Sequence, residues 1–220
     1  MKQKIVCVFA HPDDEAFGPG GTIAKFSQTD ELYILCATKG EAGITNREKN
    51  IAEIRQQELL ASAKILGVKE VSFLGFIDGT LSNSNYHDLA NRIKKYLEKI
   101  KPTKLLTFEP RGVSGHIDHI TVSLVTSYLF EHLEYVKELM YYCHTDWQVQ
   151  IIKKLIGDYF IYFPPGYKQS DVNLVVDIKA VWQTKVEAMK KHQSQIHDVK
   201  MVLSFLEKMP LKEYFMVLSK

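Results

Sequence analysis

Cysteine is scarce in this sequence, with three residues among 220: Cys7, Cys36 and Cys143. An odd number excludes a fully paired disulfide framework, and two of the three lie in apolar runs where a thiol behaves as a small hydrophobe. No apolar run reaches the roughly 18 residues that a membrane span requires, and the N-terminus turns acidic before a signal-peptide core could form. We therefore expect a reduced, soluble, cytoplasmic protein without a membrane span.

An excess of charge of either sign is also missing. Lys and Arg number 28 and Asp and Glu 26, which gives a formal net charge of +2. The basic residues are spread along the chain, so no nucleic-acid partner is indicated. Hydrophobic residues make up 45% of the chain, which excludes intrinsic disorder. The length and the lack of repeats or linkers predict one domain over residues 1–220.

Short apolar runs alternate with helical patterns in the first part of the chain, which predicts an α/β fold. The expected strands are residues 5–10, 32–38, 71–74 and 104–108, followed less regularly by 139–143, 159–163 and 174–178. The expected helices are residues 46–66, 87–100 and 179–191, together with one helix after the fourth strand. The first begins at a capping box formed by Thr45 and Glu48. The helix after the fourth strand is expected to bury one face through Ile117, Ile120, Leu124 and Tyr128.

This alternation is typical of a single Rossmann-like, doubly wound domain with a mostly parallel sheet flanked by helices. A strand order of 3-2-1-4 makes the first and fourth strands neighbours. The loops that follow these two strands would then converge on one crevice, which is where such folds place ligands.

The loop after the first strand concentrates charge, because it reads Ala-His11-Pro-Asp13-Asp14-Glu15. An imidazole and three carboxylates behind a buried strand are costly unless a cation or water compensates them. A divalent cation would do so. The alternative is a solvated acidic turn that caps a helix beginning near Gly20.

The loop after the fourth strand carries a second polar cluster, His116-Ile-Asp118-His119, which opens a helix. Histidines three residues apart share one face of a helical turn. Together with the first loop they offer two histidines and an aspartate, the donor set of a catalytic zinc that keeps a position for water. A structural zinc is disfavoured because no cysteine lies near either motif.

Three motifs carry a family resemblance: AHPDDE, GVSGHIDH and a later HQSQ. Over about residues 5–195 the chain resembles the LmbE-like/PIG-L family of zinc-dependent de-N-acetylases. The resemblance implies that His11, Asp14 and His119 bind one zinc and that Asp13 is the general base. It also implies that His116 is a second catalytic imidazole, oriented by Asp118. Members remove acetyl groups from N-acetylglucosamine joined to inositol, malate, a lipid or an antibiotic core. Ile117 stands where many relatives have proline, which leaves every polar position intact.

Elementary chemistry agrees with these roles. Zinc lowers the pKa of bound water towards about 7, which makes amide hydrolysis feasible near neutral pH. With Asp14 on the metal, Asp13 is free to accept the proton of that water. Asp118 beside His116 would raise the pKa of that imidazole and fix its orientation, although a carboxylate in a first helical turn is also favoured by the helix dipole alone.

Candidates for holding the substrate are Arg55, Asp78 and His192, and each has a plainer alternative. The family resemblance makes Arg55 a sugar contact, whereas the sequence favours an exposed helix arginine paired with Glu58 or Glu48. Asp78 would accept hydrogen bonds from sugar hydroxyls, although Asp-Gly is also an ordinary turn. His192 is placed near the active site by the resemblance, whereas a histidine at a helix end is often a dipole partner.

The remaining histidines, residues 87, 132, 144 and 197, have no partner in the sequence and are expected at the surface or satisfied in the core.

The sequence therefore predicts a zinc-dependent hydrolase that removes an acetyl group from an N-acetylglucosamine-containing small molecule. The alternatives are a non-catalytic sugar- or nucleotide-binding module, or a metal-dependent amidase or phosphoesterase with another substrate. The glycines at 18, 20 and 21 lack the spacing of a phosphate-binding loop. His and carboxylate ligands also accept Fe²⁺ or Co²⁺. A homo-oligomer is compatible with the sequence.

Overall fold

The structure is a computed structural model that describes residues 2–43, 50–157 and 159–220. In these ranges seven strands form one sheet. The strands are β1 (Lys4–Phe9), β2 (Glu31–Thr38), β3 (Glu70–Phe76), β4 (Lys104–Phe108), β5 (Glu138–Cys143), β6 (Leu174–Asp177) and β7 (Lys212–Ser219). Their order in the sheet is β3-β2-β1-β4-β5-β7-β6. The helices are α1 (Asp14–Phe17), α2 (Gly20–Phe26), α3 (Ile51–Ile65), α4 (Tyr86–Ile100), α5 (Gly112–Gly115), α6 (Ile117–His132), α7 (Asp146–Ile156), α8 (Trp182–Met189) and α9 (Ile196–Leu206).

The predicted order of the first four strands is confirmed. β1 pairs in parallel with β2 on one side and with β4 on the other, and β5 continues the parallel sheet beyond β4. β7 then pairs antiparallel with both β5 and β6. Because β1 and β4 are neighbours, the loops after Phe9 and Phe108 leave the same edge of the sheet side by side.

Both faces of the sheet are buried, which explains the continuous apolar runs. Along β1, Ile5, Cys7 and Phe9 join the core on one face, while Val6 and Val8 join the core on the other. All three cysteines are free and buried. Burial of Cys7 and Cys36 is expected from the apolar runs in which they lie. No helix in the described part of the chain combines the length and the apolarity that crossing a membrane would take.

Several predicted elements differ in the structure. Residues 159–163 are not a strand but an irregular segment with Tyr159 41% exposed and Tyr162 62% exposed. α7, α9 and β7 were not predicted. The capping box predicted at Thr45 and Glu48 lies outside the described residues, and α3 is described from Ile51.

The buried face predicted for α6 is wrong. Ile117, Leu124 and Tyr128 are 62%, 58% and 51% exposed, whereas a different face, with Val125 and Leu129, packs into the core. Apolar residues surround much of this helix, so their spacing does not single out the face that contacts the sheet.

Candidate metal centre and active site

The loops after β1 and β4 meet at the edge of the sheet and bring His11, Asp14 and His119 together. His11 lies in the loop after β1, Asp14 begins α1 and His119 lies in the first turn of α6. His11 Nδ1 is 3.1 Å from His119 Nε2, and His119 Nε2 is 3.2 Å from Asp14 Oδ1. His11 Nδ1 is 3.9 Å from Asp14 Oδ2. The three side chains predicted as ligands therefore converge on one point.

Hydrogen bonds at the far side of the His11 ring fix its tautomer. His11 Nε2 lies 2.9 Å from Asp78 Oδ1 and 3.2 Å from Asp118 Oδ2, and both carboxylates are buried. A carboxylate only accepts, so Nε2 carries a proton, and in the neutral ring the lone pair is on Nδ1, which faces His119 and Asp14. Burial lowers the pKa of His11, but the hydrogen bonds to Asp118 and Asp78 and the charge of Asp14 outweigh it and raise the pKa to about 10. The surroundings thus stabilise a positive charge here.

The His119 ring is held in the complementary way. Its Nδ1 lies 3.0 Å from the carbonyl oxygen of Gly112, to which it donates, so in the neutral ring the lone pair is on Nε2. Asp14 is held through Oδ2, which accepts the backbone N–H groups of Ala10 at 3.0 Å and His11 at 2.9 Å. Burial raises the pKa of Asp14, but the charge of a protonated His119 and its hydrogen bond from Nε2 outweigh burial and lower that pKa, so the Asp14 carboxylate is charged.

His116 has a different protonation pattern from the other two histidines. It is the N-cap of α6, and its Nδ1 accepts the backbone N–H of Asp118 at 3.2 Å. The neutral ring therefore carries its proton on Nε2 and is a donor, not a ligand. Burial and the neighbouring His11 and His119 lower its pKa.

Asp118 contacts the His116 ring through its backbone N–H and not through its carboxylate. The carboxylate accepts the backbone N–H groups of Gly79 at 2.8 Å and Leu81 at 3.0 Å, besides contacting His11. The charge of Asp118 raises the pKa of His116, as predicted, but burial and the charges of His11 and His119 outweigh it, so that pKa is lowered overall. Asp118 also orients the ring of His11, and metal-binding histidines commonly have a carboxylate in this position.

The three lone-pair atoms fit a zinc ion. Tetrahedral bonds of about 2.0–2.2 Å separate neighbouring ligand atoms by roughly 3.3–3.6 Å. His119 Nε2 lies 3.1 Å from His11 Nδ1 and 3.2 Å from Asp14 Oδ1, slightly under this range, and His11 Nδ1 lies 3.9 Å from the other Asp14 oxygen, Oδ2. A zinc ion bound by these groups would displace the protons that the two imidazoles share with each other and with Asp14.

Asp13 lies beside this group without joining it. Its backbone has φ 117°, a left-handed conformation that side chains rarely adopt, and this conformation turns its carboxylate towards Arg55. Arg55 Nη2 is 3.0 Å from Asp13 Oδ2. Burial raises the pKa of Asp13 to about 6, although the charge of Arg55 opposes the rise. A carboxylate with this pKa can both accept and release a proton near neutral pH.

Arg55 is not the exposed helix residue that the sequence favours. It is 4% exposed and also donates to the carbonyl oxygens of Pro12 at 2.8 Å and Gly40 at 3.0 Å. Its partners are Asp13 and, at 3.7 Å, Asp78. Gly40 has φ +75°, and a Cβ there would lie 2.5 Å from the guanidinium carbon, so glycine makes room for this side chain.

His192 lies beneath the site and not on its wall, which corrects its prediction as a substrate contact. The ring is fully buried, and its Nε2 is 2.7 Å from Glu15 Oε1. The same carboxylate accepts the Ser62 hydroxyl and, through Oε2, the backbone N–H of Asp13 at 3.0 Å. His192 and Glu15 therefore support the strained backbone of Asp13 from below.

A cavity of about 490 Å³ opens over these residues. Its polar wall includes His11, Asp13, Asp14, Arg55, Asp78, His116 and His119. Asp78 is largely engaged with His11 and Arg55, so its predicted contact with sugar hydroxyls would have to share that carboxylate. His144, for which the sequence offers no role, also lines the cavity, and its Nδ1 has no hydrogen-bond partner.

The glycine-bearing first turn of α2 serves the fold. The N–H groups of Gly21 and Thr22 donate to the buried carboxylate of Glu213 at 2.9 and 2.6 Å. Lys185 Nζ, also buried, lies 2.7 Å from the same carboxylate. These donors are occupied, so this turn does not offer a phosphate site, in agreement with its spacing.

Comparison with known proteins places these residues in context. The family described as PIG-L: GlcNAc-PI de-N-acetylase matches residues 6–129. A probable N-acetyl-alpha-D-glucosaminyl L-malate deacetylase 2 of Bacillus cereus is 35% identical over 128 residues, which cover 54% of this chain and 57% of that protein. The chain thus spans little more than half of the length of this relative.

Solved structures share the architecture at low identity. The N,N'-diacetylchitobiose deacetylase from Pyrococcus horikoshii has a TM-score of 0.69 at 23% identity, covering 99% of this chain and 84% of that one. The 4-carboxy-2-hydroxymuconate hydratase GalB from Pseudomonas putida has a TM-score of 0.72 at 16% identity, covering 99% and 97%. Because one fold carries both reactions, the fold alone does not identify the chemistry.

Proposed function

Because this chain belongs to the PIG-L family of GlcNAc-PI de-N-acetylases, we propose that it is a zinc-dependent hydrolase that removes an acetyl group from an N-acetylglucosamine-containing small molecule or conjugate. The convergence of His11, Asp14 and His119 beside Asp13 gives this proposal its main support. His11 Nδ1 and His119 Nε2 face Asp14, whereas His116 accepts a backbone N–H through Nδ1 and keeps its Nε2–H to donate. Such a site suits a metal ion and offers a separate N–H donor.

Zinc bound by His11, Asp14 and His119 would acidify a water molecule and polarise the acyl oxygen of the amide. Asp13 accepts the proton of that water, because its pKa of about 6 leaves it ionised at neutral pH. The water oxygen bonds to the acyl carbon, and the Nε2–H of His116 donates to the oxygen on which negative charge develops. Asp13 then returns its proton to the nitrogen as the C–N bond breaks, which releases acetate and the free amine.

The alternatives have weaker support. A phosphoesterase usually uses two metals, and two sets of side chains lie close enough for an ion: His11 with His116 and His119, and His11 with Asp78 and Asp118. Both sets contain His11, whose single lone pair in the neutral ring serves only one ion. A non-catalytic binding module would not need the strained Asp13. We further propose that residues 1–220 act as one catalytic domain.

An acetate-release screen tests this function. Zinc-loaded protein is incubated with N-acetylglucosamine conjugates of malate, inositol, a lipid and simple alcohols, and acetate and free amine are measured together. Asp13→Asn at equal zinc content is the matched control, and we expect it to lose about 10²–10⁴-fold in turnover. Release that is equal in the wild type and the variant, or activity that appears only without metal, would refute the proposal.

A further inference from the structure

The cavity over the candidate metal centre changes character along its length. Gln195, which precedes α9, and Asp198, Met201, Val202 and Phe205 of that helix all line it. These residues recur at intervals of three and four, so they share one helix face. The ten residue steps from 195 to 205 extend about 15 Å at 1.5 Å per step. The first two are polar and the last three apolar, which gives the cavity a polar end and an apolar end.

The polar end lies at Arg55. A side chain built on Gly43 would contact both Arg55 and Gln195, so these two groups lie together. Arg55 in turn contacts Asp13 and Asp78. This end offers charged and amide groups suited to the hydroxyls of a sugar.

The apolar end is built mainly from the second half of the chain. The larger apolar side chains that line the cavity are Phe17, Phe108, Val113, Tyr142, Ile152, Ile156, Tyr159, Phe160, Phe163, Met201, Val202 and Phe205. Phe17, Phe108 and Val113 lie within residues 6–129, the stretch that the family description matches, and the other nine follow it. His144 also lines the cavity, and burial together with the nearby Lys185 lowers its pKa to about 4, so its ring is uncharged at neutral pH.

The metal ligands stand between the two ends. The Phe108 ring packs against His119 with centroids 4.7 Å apart and continues to Tyr142 at 6.2 Å. On the other side His11 contacts Asp78, which faces Arg55. An amide whose acyl carbon lies at the ligands, with its sugar towards Arg55, therefore directs its acyl group towards Phe108 and the apolar end. An acetyl group places a single methyl there and leaves most of the apolar wall uncovered.

We propose that this protein accepts, and hydrolyses faster, N-acyl groups longer than acetyl, with an unbranched apolar chain lying between β5, α7 and α9. The reaction is the same amide hydrolysis, so the inference rests on the proposed function: water adds to the acyl carbon, the C–N bond breaks, and a fatty carboxylate and the free amine leave. Burial of each additional methylene favours the longer chain about fourfold in kcat/KM.

Two substrate series test this inference. In the first, zinc-loaded protein is given the methyl glycoside of glucosamine carrying N-acetyl, N-butanoyl or N-hexanoyl groups, and release of the common amine is measured. In the second, the N-acetyl group is kept and the methyl glycoside is replaced by a hexyl glycoside. We expect kcat/KM to rise by at least about tenfold from acetyl to hexanoyl and to stay within about twofold in the second series. A fall with acyl length, or a gain in the second series, would overturn the proposal, the latter because the apolar wall would then hold the aglycone.

A binding measurement distinguishes failure of this inference from failure of the proposed function. If no member of either series releases amine, the proposed hydrolysis fails. Calorimetric binding of the N-hexanoyl compound at least tenfold tighter than the N-acetyl compound would still support the apolar acyl site, and equal binding would overturn it.

Variants of α9 and α7 supply the matched comparison. Met201 is half-buried and lines the cavity, whereas the adjacent Lys200 is exposed and does not. Met201→Gln should reduce kcat/KM for the hexanoyl substrate about tenfold more than for the acetyl substrate, and Lys200→Gln should change neither. Ile156→Gln, from the opposite wall, should repeat the first result. Equal losses of kcat/KM on both substrates in both cavity variants would contradict the proposal. Thermal unfolding of each variant shows whether the fold is retained.

Discussion

Replacement of Arg55 distinguishes a contact with substrate from control of the catalytic carboxylate. The guanidinium lies 3.0 Å from Asp13 and favours its ionised form. At that distance Coulomb's law gives about 1.4 kcal/mol in bulk water and about 5.5 kcal/mol at an effective dielectric constant of 20. Removal of the positive charge in Arg55→Met should therefore raise the pKa of Asp13 and shift the acid limb of the kcat/KM profile, which we expect near pH 6, upward by at least about one pH unit.

The direction of this shift follows from the role of Asp13. Asp13 must be ionised to accept a proton, so activity rises with pH through its pKa, and a higher pKa displaces the rise to higher pH. The assay is acetate release across pH 5–9, with zinc content measured in each sample. Arg55→Lys keeps the charge and should keep the acid limb within about half a pH unit of the wild type. An Arg55→Met variant with a raised KM and an unmoved acid limb would refute this reasoning and favour a sugar contact.

Two further predictions concern residues whose roles the structure revises. Asp118→Asn should weaken zinc binding about 10–100-fold, because the carboxylate that fixes the His11 ring is lost; unchanged zinc affinity with a lower kcat would instead favour a role on His116. His192→Gln should lower kcat with KM within about twofold, because the His192 ring supports Glu15 and Asp13 and is not on the cavity wall. A raised KM at constant kcat would contradict that placement.

The meeting of His11, Asp14 and His119 could be predicted because it depends on strand order. Apolar runs identified β1 and β4, and doubly wound folds bring the ends of neighbouring parallel strands together. The proposed ligands lie at or just beyond those ends, so a rule about topology was sufficient to predict the meeting of residues separated by 108 positions.

The direction of individual side chains could not be predicted in this way. Asp118 has the position of a first-turn carboxylate, but its orientation is set by the N–H groups of Gly79 and Leu81, which lie in a loop about forty positions earlier in the chain. Arg55 occupies an ordinary helix position, and its burial depends on the space left by Gly40. Contacts of this kind depend on loop geometry, which has no periodic signal in a sequence.

The second half of the chain was less predictable for a related reason. β7 joins the sheet antiparallel between β5 and β6, which breaks the strand–helix alternation that identified the first four strands. The aromatic run 159–163 alternates poorly and forms the irregular wall of the cavity instead of a strand. The residues that shape the apolar end therefore lie largely in elements that the sequence pattern predicted least accurately.

The proposed function requires that two histidine nitrogens and one carboxylate oxygen hold a single catalytic ion. The most direct test is to strip the protein with a chelator and titrate zinc back while bound metal and acetate release are measured in the same samples. We expect no activity in the stripped protein and a linear return that stops at one zinc per chain, with His119→Ala showing neither binding nor recovery in that range. Activity that survives stripping, or that requires two ions per chain, would contradict the account.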